Sequence, residues 1–167
     1  MPDPRSAGSA YQQADELRYL ILAAQREGSR QSAARLRSAD LTPAQAEVLE
    51  VLRDRAPLTL AELGRLLVCE TGSPSRLVDG LVRRDLVARL PSKDDRRVVS
   101  LTLTQAGHAS IAAVSASQIV RDIITSRLAP HEVEQLAGLL RRLLAGTAVG
   151  ETVAGRFPRR AEGADRS

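Results

Sequence analysis

Tryptophan is absent from this chain of 167 residues, and cysteine, methionine and phenylalanine occur once each. Tyr11, Tyr19 and Phe157 are the only aromatics. Sandwiches of strands draw heavily on Tyr, Phe and Trp, so a core built from Ala, Leu and Val points to packed helices instead. The lone Cys69 excludes an internal disulfide framework and suits a reducing compartment. No apolar run approaches the roughly 18–20 residues that a membrane helix needs. Met1-Pro2-Asp3-Pro4-Arg5 also lacks the charged-then-apolar order of a signal peptide, so a soluble cytoplasmic protein is expected. Lysine is nearly missing: Lys93 stands alone, and arginine carries the remaining positive charge, a bias that an Ala-, Arg- and Gly-rich genome would produce unaided. There is no glycine-rich phosphate loop, no paired-histidine metal motif and no nucleophile elbow. His108 and His131, the only histidines, share no ligand spacing with a neighbour. Neither an enzyme nor a bound cofactor or metal is expected.

What remains is enough for one domain with a real hydrophobic core. The net charge of +4 is compatible with a polyanionic partner, though many basic proteins bind none. Residues 1–10 are rich in Pro, Ser, Gly and Ala and read as a disordered arm. Residues 147–167, punctuated by Gly150, Gly155, Pro158 and Gly163 and sprinkled with Arg156, Arg159 and Arg160, read as a solvated tail. Between them lies a single domain, 11–146. A helix starts near Tyr11, with Leu17, Leu20, Ile21 and Ala24 at helical spacing. Its pattern weakens at Gly28, which costs an interior turn about 1 kcal/mol relative to Ala, so continuity there requires tertiary support.

From Leu41 the signals sharpen. In Leu41-Thr42-Pro43-Ala44-Gln45, Thr42 serves as N-cap, Pro43 takes the first helical position and Gln45 closes a capping box. Leu58-Thr59-Leu60-Ala61-Glu62-Leu63 forms a second box, starting a helix that is expected to end near Val68. A turn, Cys69-Glu70-Thr71-Gly72, leads to Ser73 as cap and Pro74 as the opening of a third helix, ending near Asp85. Val87–Leu90 and Val98–Leu103 read as two strands around a polar loop, and two more helices follow: Thr104 to about Arg127, then Pro130 to about Gly146.

Helix, turn, helix and hairpin is the order of a winged helix-turn-helix, here residues 41–104 of a mainly α chain. At about 100° per residue, Pro74, Leu77, Val78 and Leu81 face inward, while Ser75, Arg76, Asp79 and Arg83 face outward. Arg76 suits bidentate reading of guanine, and Ser73 and Ser75 at the helix start suit phosphate. On the hairpin, Lys93, Arg96 and Arg97 oppose Asp94 and Asp95, and an arginine there can enter the negative potential of a minor groove. Asp95 would be repelled by DNA and instead orients Arg97. These are the candidate contacts to double-stranded DNA. The alternatives are a winged-helix protein-interaction module without DNA binding and a redox regulator working through Cys69, which lies near helix termini that can lower a thiol's pKa but can equally be a small buried hydrophobe.

The stretch from Leu41 to Gly107 resembles the MarR family of bacterial regulators. The likeness rests on Asp95 and Arg97 followed by a strand ending at Leu103 and Thr104 with Gly107 three residues on, on the helix start at Leu41–Gln45, and on Leu77-Val78-Asp79. The resemblance implies that Arg97 is the minor-groove residue and Asp95 its partner. It further implies a two-fold homodimer through helices in 11–36 and 105–146, and repression lifted by an oxidant or by a small phenolic or lipophilic effector seated between the reading lobe and the dimerising helices. The segment from Val68 to Leu77 is one residue longer than the usual family turn, which leaves the registration of Cys69 to Ser75 open.

Overall fold

The computed structural model describes residues 4–68, 73–91, 97–114 and 116–158. The first helix, α1 (Pro4–Ser38), begins at Pro4 rather than near Tyr11. A proline is tolerated in a first turn, because the N–H it lacks would have no intrahelical partner there. The helix passes through Gly28 without a break, and the support this needs comes from α6 (Ala116–Arg127). Val120 lies 3.5 Å from the point a Gly28 Cβ would occupy, and the Ser32 hydroxyl donates to the Gly28 carbonyl at 2.9 Å.

The next helix, α2 (Pro43–Arg55), opens on the expected box: Gln45 N–H donates to Thr42 Oγ1 at 3.2 Å, and Thr42 N–H donates to Gln45 Oε1 at 3.0 Å. Replacing Thr42 with Ala should therefore lower stability by about 1 kcal/mol, read as a shift in the urea midpoint at unchanged slope. Val48, Leu49, Val51 and Leu52 of α2 are fully buried and form the centre of the core. Each large aliphatic side chain buried in this way contributes roughly 1.5–3 kcal/mol.

Leu58–Thr59 forms a short strand, β1, before α3 (Leu60–Gly64). The second capping box is present, with Thr59 N–H donating to Glu62 Oε2 at 2.7 Å. That backbone bond, aided by the Thr59 hydroxyl, holds the Glu62 carboxyl below its ordinary pKa. α3 is shorter than its sequence pattern suggests. Leu66 N–H turns tightly back to the Leu63 carbonyl, and Val68 N–H is taken by the Glu47 carboxylate of α2 at 2.8 Å, so the helical ladder does not continue.

After α4 (Pro74–Arg83), Asp85 adopts a left-handed conformation with φ 55°, and Leu86 N–H closes onto the Leu81 carbonyl at 2.9 Å. This is the six-to-one bond that ends many helices. The chain then enters β2 (Val87–Pro91) and β3 (Val99–Leu103), which pair antiparallel with Val87 opposite Leu103 and Pro91 opposite Val99. β1 adds to the other edge of β3, giving the order β1-β3-β2. The wing is thus a three-stranded sheet, whereas the sequence pattern reveals only its hairpin.

The remaining helices are α5 (Gln105–Val114), α6, α7 (Pro130–Leu144) and α8 (Ala148–Arg156). Ile111 and Val114 of α5 complete the core around α2, with Leu63, Val78, Leu81 and Leu101. The presence of α8 corrects the expectation of a solvated tail from Thr147. Gly146, at φ +76°, makes the turn out of α7, and Thr147 caps α8 by accepting from Gly150 N–H at 3.0 Å. Gly150 itself lets the backbone close on the Leu144 carbonyl, which lies 2.1 Å from where a Cβ would be. Gly150, one of the glycines that suggest disorder, is a residue that lets this helical hairpin fold.

No described helix is long and apolar enough to cross a membrane.

Candidate nucleic-acid interface

α4 carries its two faces as the periodicity requires. Val78 and Leu81 are fully buried against α2 and α3, Leu77 is half-buried, and Arg76 and Arg83 are exposed. Neither exposed arginine has a hydrogen-bond or ion-pair partner among the described residues, which leaves their guanidinium donors available to a ligand. Ser75 and Asp79, on the same side, are half-buried. Ser73 occupies the N-cap position with extended backbone, but its side chain makes no capping bond, contrary to the role expected of it. Its carbonyl accepts from Arg76 N–H at 3.0 Å and Leu77 N–H at 3.4 Å, and Pro74 has no N–H, so of the first turn of α4 only Ser75 N–H has no backbone acceptor among the described residues.

Asp79 has a role that helical periodicity alone does not reveal. Its Oδ1 accepts from Arg89 Nη2 of β2 at 2.6 Å, pinning the wing to the outer face of α4. Both side chains are about two-fifths exposed, so the pair contributes little to stability, of the order of 0–1 kcal/mol. Its effect is geometric: it ties the outer side of α4 to the hairpin beside it. Arg84, which the sequence counts merely as another cation, is a second staple. It donates to the carbonyls of Asp40 at 2.6 Å and Ala39 at 3.1 Å, tying the end of α4 to the turn between α1 and α2. An Asp79–Arg89 partnership was detectable in principle, from opposite charges on adjacent elements; a bond to carbonyls of a distant turn was not.

On the wing, Arg97 is exposed and lies two residues before the start of β3. Lys93, Asp95 and Arg96 at the hairpin tip, and Cys69 in the turn before α4, lie outside the described residues. The structure thus brings Ser73, Ser75, Arg76, Asp79 and Arg83 together on α4, with Arg97 at the base of the hairpin loop.

Residues of α1, α2, α6 and α8 line an open cavity of about 360 Å³. Ala24, Leu36, Ala46 and Val120 give it apolar walls, and Glu47, Glu50 and Arg156 close one end. The last three are joined: Arg156 Nη1 donates to Glu47 Oε1 at 2.6 Å, and Nη2 approaches Glu50 Oε2 at 3.5 Å. Arg156 is therefore a structural partner of two carboxylates and not a stray tail charge.

A sequence profile described as the MarR family matches residues 41–99. The chain is 35% identical over 108 residues to the multiple antibiotic resistance protein MarR of Escherichia coli K12, covering 63% of this chain and 74% of that one. It is 29% identical over 104 residues to the HTH-type transcriptional regulator MhqR of Bacillus subtilis, covering 62% and 72%. Among solved structures, a mutant E. coli MarR complexed with operator DNA matches with a TM-score of 0.65 and 31% identity, covering 80% of this chain and 97% of that one. BpsR of Bordetella bronchiseptica, whose DNA binding is regulated by 6-hydroxynicotinic acid, matches with a TM-score of 0.63 and 25% identity, covering 77% and 92%. With the profile lying over the helix-turn-helix and wing, and whole-chain likeness extending to the flanking helices, the chain belongs to the MarR family of transcriptional regulators.

Proposed function

We propose that this chain is a homodimeric repressor that grips operator DNA with two copies of α4 and the wing, and releases it when a small molecule binds. The observation that carries this reading is the pair of exposed arginines, Arg76 and Arg83, without a partner among the described residues, on a helix whose opposite face is locked into the core. Arg76 reads a base edge, while Ser73, Ser75 and Arg83 meet phosphates, and Lys93, Arg96 and Arg97 of the wing reach along the minor groove. Asp95 orients Arg97, and Asp79 acts through Arg89 rather than on DNA. The reading lobe is 41–104, and α1 with α5 to α7 supplies the dimer.

Dimerisation is supported by what one copy leaves uncovered. Leu17, Tyr19 and Leu20 of α1 and Leu136, Leu139 and Leu143 of α7 are all exposed. Apolar stripes of that extent on two long helices are costly in water and match the helical faces of an obligate partner. Two-fold pairing also suits an operator with two half-sites. The effector reading is supported by the 360 Å³ cavity, which has the size and apolar lining of a small-molecule site and lies between the reading lobe and the dimerising helices. A phenolic or lipophilic compound suits such walls. A regulator of this kind acts in the cytoplasm and by binding, without catalysis.

The test is fluorescence anisotropy with a duplex selected by the wild-type protein from a random pool. Arg76→Ala should weaken binding about 5- to 150-fold and relax preference at one base position in each half-site. Arg97→Ala should weaken it with little change in which bases are preferred. No selection of any duplex at low salt would sink the proposal, and equal loss of preference in both variants would mean the wing also reads base edges.

A further inference from the structure

We infer that Arg156, at the end of α8 and remote from the DNA-facing residues, is a positioning residue for α4 that acts through Glu47 on the backbone of Val68. The inference rests on α4 being the DNA-reading helix. Glu47 lies in the middle of α2, with only 10% of its side chain exposed, and a carboxylate so buried needs a partner. Its Oε1 receives two donors: Val68 N–H at 2.8 Å and Arg156 Nη1 at 2.6 Å. Arg156 is itself 15% exposed, and Glu50, 13% exposed, neutralises it from one turn further along α2. Arg55 completes the lock by donating to the Arg156 carbonyl at 2.7 Å. One guanidinium from the C-terminal helix thus holds a buried carboxylate that in turn holds the chain just ahead of α4.

That hold matters because the start of α4 is weakly anchored by its own residues. Ser73 makes no side-chain cap, and Pro74 has no N–H to offer. Among the described residues, two inputs bear on where α4 begins besides its buried face: Pro74 packs close to Gly64, 3.6 Å from where its Cβ would be, and the Val68 clamp holds the end of the described segment before it. Removing Arg156 takes the guanidinium at 2.6 Å away from the buried Glu47 carboxylate. The carboxylate then turns toward water or takes up a proton, and in either state it holds Val68 less firmly. Since α8 is reached from α7 through a single turn, the clamp also couples the dimerising helices to the reading helix. The same guanidinium lines the 360 Å³ cavity, so an occupant there would touch the clamp directly.

The experiment compares full-length wild type, Arg156→Gln, Glu47→Gln and the double variant, using the selected duplex and backbone amide exchange at Val68. Arg156→Gln should weaken DNA binding about tenfold, within the usual range of coupling between sites, with an unchanged dependence on salt because no phosphate contact is lost. Val68 exchange should accelerate in that variant. Adding Glu47→Gln should restore most of both, since an amide oxygen still accepts from Val68 without burying a charge. Wild-type affinity in Arg156→Gln, a salt slope reduced by about two in the dimer, or failure of Glu47→Gln to restore binding would each overturn the inference. If Arg156→Gln does not fold, Arg156→Lys decides: acceleration confined to Val68 and its neighbours supports the clamp, and uniform acceleration across the core refutes it. Wild-type binding to the duplex tests the DNA reading separately from all of these comparisons.

Discussion

Raising salt from 50 to 200 mM should weaken binding to the selected duplex by about 10³- to 10⁵-fold. The reason is counterion release: each phosphate neutralised frees condensed cations, and six to ten such contacts give a slope of about −5 to −9 in log affinity against log salt. A dimer presenting Arg83, Lys93, Arg96 and Arg97 from each protomer, with α4 N-termini beside them, falls within that range. The net charge of +4 alone would produce a much shallower response, because charges scattered over a surface do not each meet a phosphate. The slope therefore distinguishes a built interface from general basicity. A slope shallower than about −2 would mean that the arginines on α4 and the wing do not meet the backbone together, and would favour a winged-helix module that binds protein. Replacing Arg83 should reduce the slope by about two in the dimer, one for each half-site.

Gly107→Ala should be among the most destabilising single-methyl additions in the molecule, even though Ala is the better helix former. A Cβ at Gly107 would sit 2.0 Å from the Leu86 carbonyl oxygen and 3.0 Å from its carbon. Both belong to backbone, so no rotamer change relieves the clash. The first turn of α5 would have to lift from the junction between α4 and β2, weakening the Thr104 N–H bond to Leu86 O and the Thr104 hydroxyl bond to Asp85 O. Ile111 and Val114, further along the same helix, lie fully within the core and resist the shift. Overpacking of this kind costs roughly 1–3 kcal/mol, and a helical Ala recovers up to about 1, so we expect a net loss of about 2 kcal/mol and a Tm lower by about 4–8 °C. Gly138→Ala on α7 is the control: nothing lies within 4 Å of its would-be Cβ, and stability should rise. An unchanged Tm for Gly107→Ala would show that α5 can move without disturbing the wing.

The contrast between these glycines shows where sequence reasoning succeeds. Gly107 is legible as part of the wing pattern, but its reason, a carbonyl 21 residues earlier in the chain, is not. The two capping boxes at Thr42 and Thr59 were readable because all their donors and acceptors lie within three residues. The two faces of α4 were readable because burial follows a fixed local period. Arg76 and Arg83 emerged from the same period, as the polar residues opposite a buried stripe.

Elsewhere the decisive partner lies far along the chain. β1 exists because Leu58 and Thr59 find Leu101 and Ser100, a pairing that a two-residue segment does not announce. Asp79 reads as one more outward polar residue until Arg89 is seen beside it. α3 stops short of its pattern because Glu47 captures the Val68 amide that would have extended the helix.

By itself, then, the sequence determined the winged helix-turn-helix, its helix starts and the arginines of its outer face, since each depends on hydrogen bonds or periodicities spanning a few residues. Only the tertiary structure decided how that unit is held: the wing tied to α4 by Asp79 and Arg89, and a supposed tail folded back so that Arg156 meets Glu47, 109 residues away. The first depends on two elements being packed side by side, and the second on burial, which makes an unpaired charge too costly to leave; both belong to the packed chain and not to any short segment of it.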